Sequence, residues 1–429
     1  SVDPPLDANT AIEEEVQGPY IQLVHKGDVG DMPTNTLLGV RYEKTDVTST
    51  SFIQIPTNIV WTANNDFTLA RSTDIQPFDE TAKYSHVLPS LDFDIGLTDT
   101  LKGRLSYSKT IARANYGNLY AGPNPGTPSG SILVNETTRA AGNAQNPGLV
   151  PLESDNLDLS MEWYFSDSGY VSVGWWEKRV DNFIGTQVAM ENLYDIRDAT
   201  SGPDAQAALA FLTSAQCVAQ AAPADVDTAC SANDTALFTA LAMLRNEGTT
   251  GGLAAYTGSS AQVLAMENDY NLSGEADDPF YEFAVQRPVN QEAARIRGWE
   301  IGGQYFFGES GFGVLANYTI VRGDVNFDDN APPGTQQFAL LGLSDTANAV
   351  LMFEKLGFTA RLAYNWRDKF LAATNQNGSN TNPFYVDAYD QIDLSVGYDN
   401  NDQLALAYEA INLTGNDIRW FGRSEKQLV

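Results

Sequence analysis

The feature that most constrains this chain is a repeated alternation. Segments of roughly ten residues take apolar and polar side chains in turn, pair up across very short turns, and are separated from the next pair by long polar stretches. A period of two puts successive side chains on opposite faces of a sheet. The clearest pair is 156–165 with 170–183. In its first strand Leu157, Leu159, Met161, Trp163 and Phe165 share one face, and Asp158, Ser160, Glu162 and Tyr164 the other. Ser166-Asp167-Ser168-Gly169 joins the two with turn chemistry at each position. Similar pairs are 86–97 with 101–110, 295–307 with 312–322, 348–354 with 358–370 and 388–398 with 404–412; the pair 20–25 with 37–47 is weaker. Together they make about twelve antiparallel strands.

Aromatic residues gather beside the short turns, among them Tyr164, Phe165, Tyr170, Tyr305, Phe306, Phe307, Phe312, Phe353, Phe358 and Tyr398. Such rings suit a membrane interface, where an apolar face meets water. A soluble sandwich also alternates, but it rarely sets short turns against loops this long. The expected fold is therefore all-β: an antiparallel transmembrane β-barrel with long extracellular loops. No run of about 18 apolar residues offers a membrane helix. Residues 1–429 read as a single partial barrel domain, with 184–294 as a long extracellular insertion. The insertion is Ala-rich and reads as helical over 204–219 and 234–245, with Asn233 as N-cap of the second helix. The only cysteines, Cys217 and Cys230, lie here, and a disulfide between them would staple two short helices. An isolated close pair of this kind suits an oxidising compartment.

The net charge of -30 argues against nucleic acid, whose binding needs Lys and Arg. No catalytic constellation emerges, so an enzyme is not expected, nor is a cofactor. His25 and His86 stand far apart, and no set of zinc ligands exists. The Gly-rich stretch 308–313 links two strands, so it reads as a hairpin turn and not a phosphate loop. Asp324, Asn326, Asp328 and Asp329 have the alternating spacing of a calcium loop but lack its bending Gly, which favours a solvated loop.

Several segments in order resemble the barrel of TonB-dependent outer-membrane receptors. They include Leu88-Pro89-Ser90-Leu91, Ser108-Lys109-Thr110-Ile111-Ala112-Arg113, Asn146-Pro147-Gly148-Leu149 leading into Glu153-Ser154-Asp155-Asn156, Lys178-Arg179-Val180-Asp181-Asn182-Phe183-Ile184, Ala360-Arg361-Leu362-Ala363-Tyr364-Asn365-Trp366-Arg367 and Ala410-Ile411-Asn412-Leu413-Thr414. The resemblance spans almost the whole chain. It implies a barrel of about 22 strands around a plug, energised by an inner-membrane complex through TonB, in the outer membrane of a Gram-negative bacterium. About twelve of those strands are expected here; the plug and the last strand are not seen, the chain stopping at Gln427-Leu428-Val429.

On this reading the partners are outer-membrane lipid, the TonB complex acting through the plug, and a small-molecule or oligosaccharide ligand. The expected function is uptake of a scarce nutrient, an oligosaccharide or a ferric siderophore. The rival readings are a passive porin and a secreted β-rich carbohydrate-binding or adhesion protein. The polar face carries Arg41, Glu43, Arg104, Lys178, Glu300, Arg361, Arg367 and Asp393, and Arg113 and Tyr116 end a strand at the mouth. From these, Arg104, Arg113, Tyr116, Glu300, Arg361 and Arg367 are the expected ligand contacts. Tyr194, Tyr256, Tyr270, Phe280 and Tyr281 in the long loop offer flat faces for sugar or aromatic ligands, or pack within the loop.

Overall fold

A computed structural model describes residues 10–221, 226–291, 293–332, 337–374, 383–400 and 404–424. Its main element is a 13-stranded antiparallel sheet. The strands are β1 (Thr10–Gln17), β2 (Tyr20–Val29), β3 (Met32–Ile53), β4 (Gln76–Gly96), β5 (Leu101–Ala112), β6 (Leu152–Ser166), β7 (Gly169–Asp181), β8 (Ala294–Phe306), β9 (Phe312–Gly323), β10 (Thr346–Lys355), β11 (Phe358–Arg367), β12 (Tyr389–Asn400) and β13 (Leu404–Ala410). Each pairs with its neighbour in chain order, except that β1 and β2 both lie along β3. The break between them falls at Gly18-Pro19, where proline has no N–H for the ladder; its carbonyl instead accepts from the Tyr42 amide at 3.0 Å. Every hairpin expected from the alternation is formed. The two ends of the sheet do not pair with each other among the described residues, so this wall is part of a barrel.

Strand register sorts the side chains into two faces. Phe93, Leu105 and Leu159 stand opposite one another on β4, β5 and β6, and Ile301, Tyr318, Leu351, Leu362 and Leu394 follow on the same face. The other face is polar and holds Arg41, Glu43, Arg104, Lys178, Glu300, Arg361, Arg367 and Asp393. Apolar outside and polar inside is the pattern of a barrel in lipid. At the short-turn end the apolar face carries a run of touching rings. Phe165 meets Tyr305 at 5.6 Å, Tyr305 meets Phe307 at 5.1 Å, Phe312 meets Phe353 at 4.8 Å and Phe358 meets Tyr398 at 4.4 Å.

At the other end the structure departs from expectation. β3 and β4 run for 22 and 21 residues, well beyond the roughly ten that cross a membrane. Above Tyr42 the outward face of β3 changes from Leu38 and Val40 to Lys44, Asp46 and Thr48, so this half projects into water. There the outer loops fold together. The hairpin Pro56–Ala63 with Asp66–Arg71, the segment 114–151 and the insertion 184–294 form one body, the cap, with its own core. Trp61 is fully buried, stacked on Phe67 and edge-on to Phe238, each at 5.3 Å. A second core gathers Ile59, Ala140, Leu193, Ile196, Tyr281, Phe283 and Val285.

The helical part is more broken than its sequence suggests. Where one helix is expected over 204–219, Pro203–Leu212 and Ala215–Gln220 are separate, because Ser214 turns out of the helix and accepts from the Cys217 amide as a new N-cap. Asp234–Arg245 forms with Asn233 capping it, and Ser260–Asp269 is a further helix that the expectation lacked. Cys217 and Cys230 are joined in a disulfide. The expected absence of a final strand at Gln427-Leu428-Val429 lies outside the described residues.

Candidate functional site

Above β9–β11, loops at the outer end enclose a cavity of about 680 Å³. Short strands build one wall: Phe370–Ala373, Phe384–Val386 and Trp420–Phe421 form a small antiparallel sheet. Pairing sets Tyr385 beside Phe421, their rings stacked at 5.2 Å, and Phe384 against Trp420 at 4.9 Å. Phe327, Leu340, Leu343 and Leu371 supply apolar surface, and Asp329, Lys369 and Arg423 supply charge.

Hydrogen bonds hold these groups in place. Tyr385 donates to the Asp329 carboxylate at 3.0 Å, and burial together with that carboxylate pushes its hydroxyl well above the ordinary tyrosine range. It therefore stays a donor at any physiological pH. Arg423 donates through one nitrogen to the carbonyls of Asp329 and Ala331, at 2.9 and 3.0 Å. Arg367, the last residue of β11, braces the loops beside the cavity. It donates to the Ser344 hydroxyl at 2.8 Å and the Gly342 carbonyl at 2.7 Å, while its guanidinium lies 3.8 Å over the ring of Phe370. Flat rings with a fixed donor and cations at their edge suit a ligand that has both an aromatic or sugar face and polar or anionic groups.

The other expected ligand residues lie elsewhere. Arg113 and Tyr116 converge on two carboxylates: Arg113 pairs with the buried Glu43, which also holds Arg41 at 2.6 Å, and Tyr116 donates to Glu14 at 3.3 Å. Close by, His86 meets Glu153 at 2.7 Å and Lys109 meets the same carboxylate at 3.0 Å. Arg104 lies further down the polar face between Asp94 at 3.6 Å and Glu162 at 3.2 Å. Arg361 pairs with Glu354 at 3.3 Å, and Glu300 is exposed. None of the expected contacts lines the cavity; Arg367 is linked to it only through the ring of Phe370.

The aromatics of the long loop are mostly structural. Tyr256 and Tyr281 are buried in the cap, donating to the Ala229 carbonyl and accepting from the Ala140 amide at 2.8 and 2.7 Å, and burial pushes each hydroxyl up to about 12. Tyr194 donates to the Pro123 carbonyl at 2.6 Å. Phe280 lies under Arg197 at 4.7 Å. The acidic loop is committed to the fold as well: Asp324 accepts from the Arg295 amide, and Asp328 from the Asn330 amide. Sequence reading misses Phe327, Lys369, Tyr385, Phe421 and Arg423. The one local signal is the pair of aromatic doublets, Phe384-Tyr385 and Trp420-Phe421.

An antiparallel wall, apolar on one face and polar on the other with the long loops at one end, defines a membrane β-barrel of the receptor type. The family model described as TonB dependent receptor-like, beta-barrel, matches residues 5–413, and the chain belongs to that family. Its members are receptors and transporters of the Gram-negative outer membrane, not enzymes. Among solved structures, the chain is similar to an enterobactin-bound mutant of the ferric enterobactin receptor PfeA from Pseudomonas aeruginosa, at 11% identity and TM-score 0.46, over 95% of this chain and 50% of that one. It is also similar to the FrpB iron transporter from Neisseria meningitidis, at 11% identity and TM-score 0.47, over 98% and 45%. A third is the copper transporter OprC, at 12% and 0.48, over 96% and 43%. The chain thus spans about half the length of these proteins. A search of curated proteins finds no match.

Proposed function

We propose that this chain forms part of the wall and the outer loops of a receptor that imports a scarce nutrient across the outer membrane, energised through TonB. On this reading 1–429 is one barrel domain and 184–294 an extracellular insertion within it. The observation that carries the proposal is the cavity at the mouth, where Phe327, Phe370, Tyr385 and Phe421 stand beside Lys369 and Arg423. Rings next to cations favour an anionic ligand with flat rings, and so a ferric siderophore over a neutral oligosaccharide. Arg104, Glu300 and Arg361 line the polar face further from the mouth and would meet the ligand later on its way.

The test is equilibrium binding to the full-length receptor in outer-membrane vesicles, with a ferric catecholate and a neutral maltooligosaccharide as probes. The catecholate should bind and the sugar should not. Phe421→Ala should weaken that binding by about tenfold, the worth of one lost ring contact. Sugar binding, or catecholate binding indifferent to Phe421→Ala and Arg423→Gln, would overturn this assignment of the ligand.

A further inference from the structure

On the apolar face of the wall, the level at which lipid contact ends is marked strand by strand. Trp175, Trp299 and Ile320 face one another across β7, β8 and β9. One step outward the row reads Glu177, Arg297, Arg322, and the next reads Asp155, Arg179, Arg295. Two pairs of arginines therefore stand directly opposite each other, Arg179 with Arg295 and Arg297 with Arg322. Directly opposed residues have Cα atoms about 4.5–5.5 Å apart, and like charges so placed destabilise a sheet.

Elsewhere on the outward face of the wall the opposite rule holds. Asp46 opposes Lys83 and Asp155 opposes Lys109. In a chain with 25 basic and 55 acidic residues, a knot of four arginines is not a sampling of the composition. Nearby acids only partly offset it. Glu177 lies 3.6 Å from Arg295, Asp181 lies 4.0 Å from Arg179, and Asp345 pairs with Arg322. Arg297 is exposed and has no ion pair within 4.0 Å among the described residues. All four guanidiniums lie on the exposed outer surface of the wall, just above a belt of indole rings. That is the depth of lipid headgroups.

We propose that Arg179, Arg295, Arg297 and Arg322 form a binding site for the phosphate groups of a glycolipid of the outer leaflet. Guanidinium forks match phosphate oxygens in pairs. A doubly charged headgroup spanning both rows relieves the repulsion that the register imposes. The rings of Trp175 and Trp299 beneath lie against the upper part of its acyl chains. Of the four, Arg322 also borders the mouth cavity, whereas Arg179, Arg295 and Arg297 stand clear of it. It rests on the reading that the wall spans the outer membrane.

The test uses the full-length protein in a non-ionic detergent and native mass spectrometry. Probes are a bis-phosphorylated glycolipid, the same lipid with both phosphates removed, and inorganic phosphate. The phosphorylated lipid should bind well above its dephosphorylated form, and inorganic phosphate in excess should not displace it. Arg297→Gln should weaken it about fivefold, and Arg297→Gln with Arg179→Gln about 25-fold. Lys355→Gln, at the short-turn end, removes the same charge and should leave binding unchanged. Equal binding of both lipids, equal loss in all variants, or displacement by inorganic phosphate would overturn the site while the protein still partitions with membranes. A protein that stays in solution without detergent would instead sink the membrane reading itself.

Discussion

The wall and the cap solve the burial problem in opposite ways. The largest fully buried side chains are Trp61, Tyr256, Tyr281, Phe238, Phe283, Ile196 and their neighbours, and almost all belong to the cap; Val47 is the exception on the wall. The wall instead leaves large apolar groups open, including Trp163, Trp299, Leu351, Leu362 and Tyr408. A soluble body hides such groups from water in its own interior. The wall satisfies its backbone through the ladder and leaves its apolar face for lipid. Two kinds of stability therefore sit in one chain, one supplied by packing and one by solvent, and each is open to separate attack.

Trp61→Ala is the largest expected blow to the cap. The side chain is fully buried between Phe67 and Phe238 and donates from its indole to the Asn64 carbonyl at 2.6 Å. Loss of transfer energy plus the cavity left behind costs about 3–5 kcal/mol. Hydrogen exchange should show the three outer segments opening while β6–β11 keep their protection. Simultaneous loss of protection in both would mean that cap and wall unfold as one unit, and the division drawn above would fail.

The same contrast explains what the sequence shows and what it hides. The wall is readable because its signal is local: the period of two in Leu157, Leu159 and Met161, and the turn at Ser166–Gly169, need no distant information. The cap is hidden because its contacts are not local. Trp61 comes from one loop, Phe238 from another, and Ser131, whose amide donates to Asp234 at 3.0 Å, from a third. The polar face is legible residue by residue, down to Arg104 and Arg361, since parity alone decides it. The cavity is not, because Tyr385 and Phe421 meet only when short strands from separate loops pair. Arg367, at the end of β11, meets that loop sheet through Phe370 without lining the cavity.

Leu362→Arg tests the wall. Leu362 lies midway along β11 on the apolar face, opposite Leu351 and Leu394. A charge at the middle of the lipid band costs about 2–4 kcal/mol. The same arginine is native one residue earlier, at Arg361, on the polar face. Folding into vesicles should therefore be destabilised by Leu362→Arg and nearly indifferent to Arg361→Leu, as read by denaturant midpoints. Equal effects of the two would mean that both faces see the same medium.

The finest distinction concerns charge within the cap. Asp234 opens the helix Asp234–Arg245, and burial pushes its carboxyl above the ordinary range even though it accepts from the Ser131 amide. A carboxyl whose folded pKa is raised contributes stability that is present below its unfolded pKa and is lost as pH rises through the folded one. The cap should therefore gain a little on acidification through the carboxylate range. Asp234→Asn keeps the acceptor for Ser131 and removes the charge. Its cap should differ from the native one by about 0.5 kcal/mol or less at neutral pH, and this part of the pH response should vanish. The attraction of a carboxylate to the positive helix start works the other way. If the variant is clearly weaker at neutral pH, that attraction outweighs burial, and the cap is wetter at this helix start than its packing indicates.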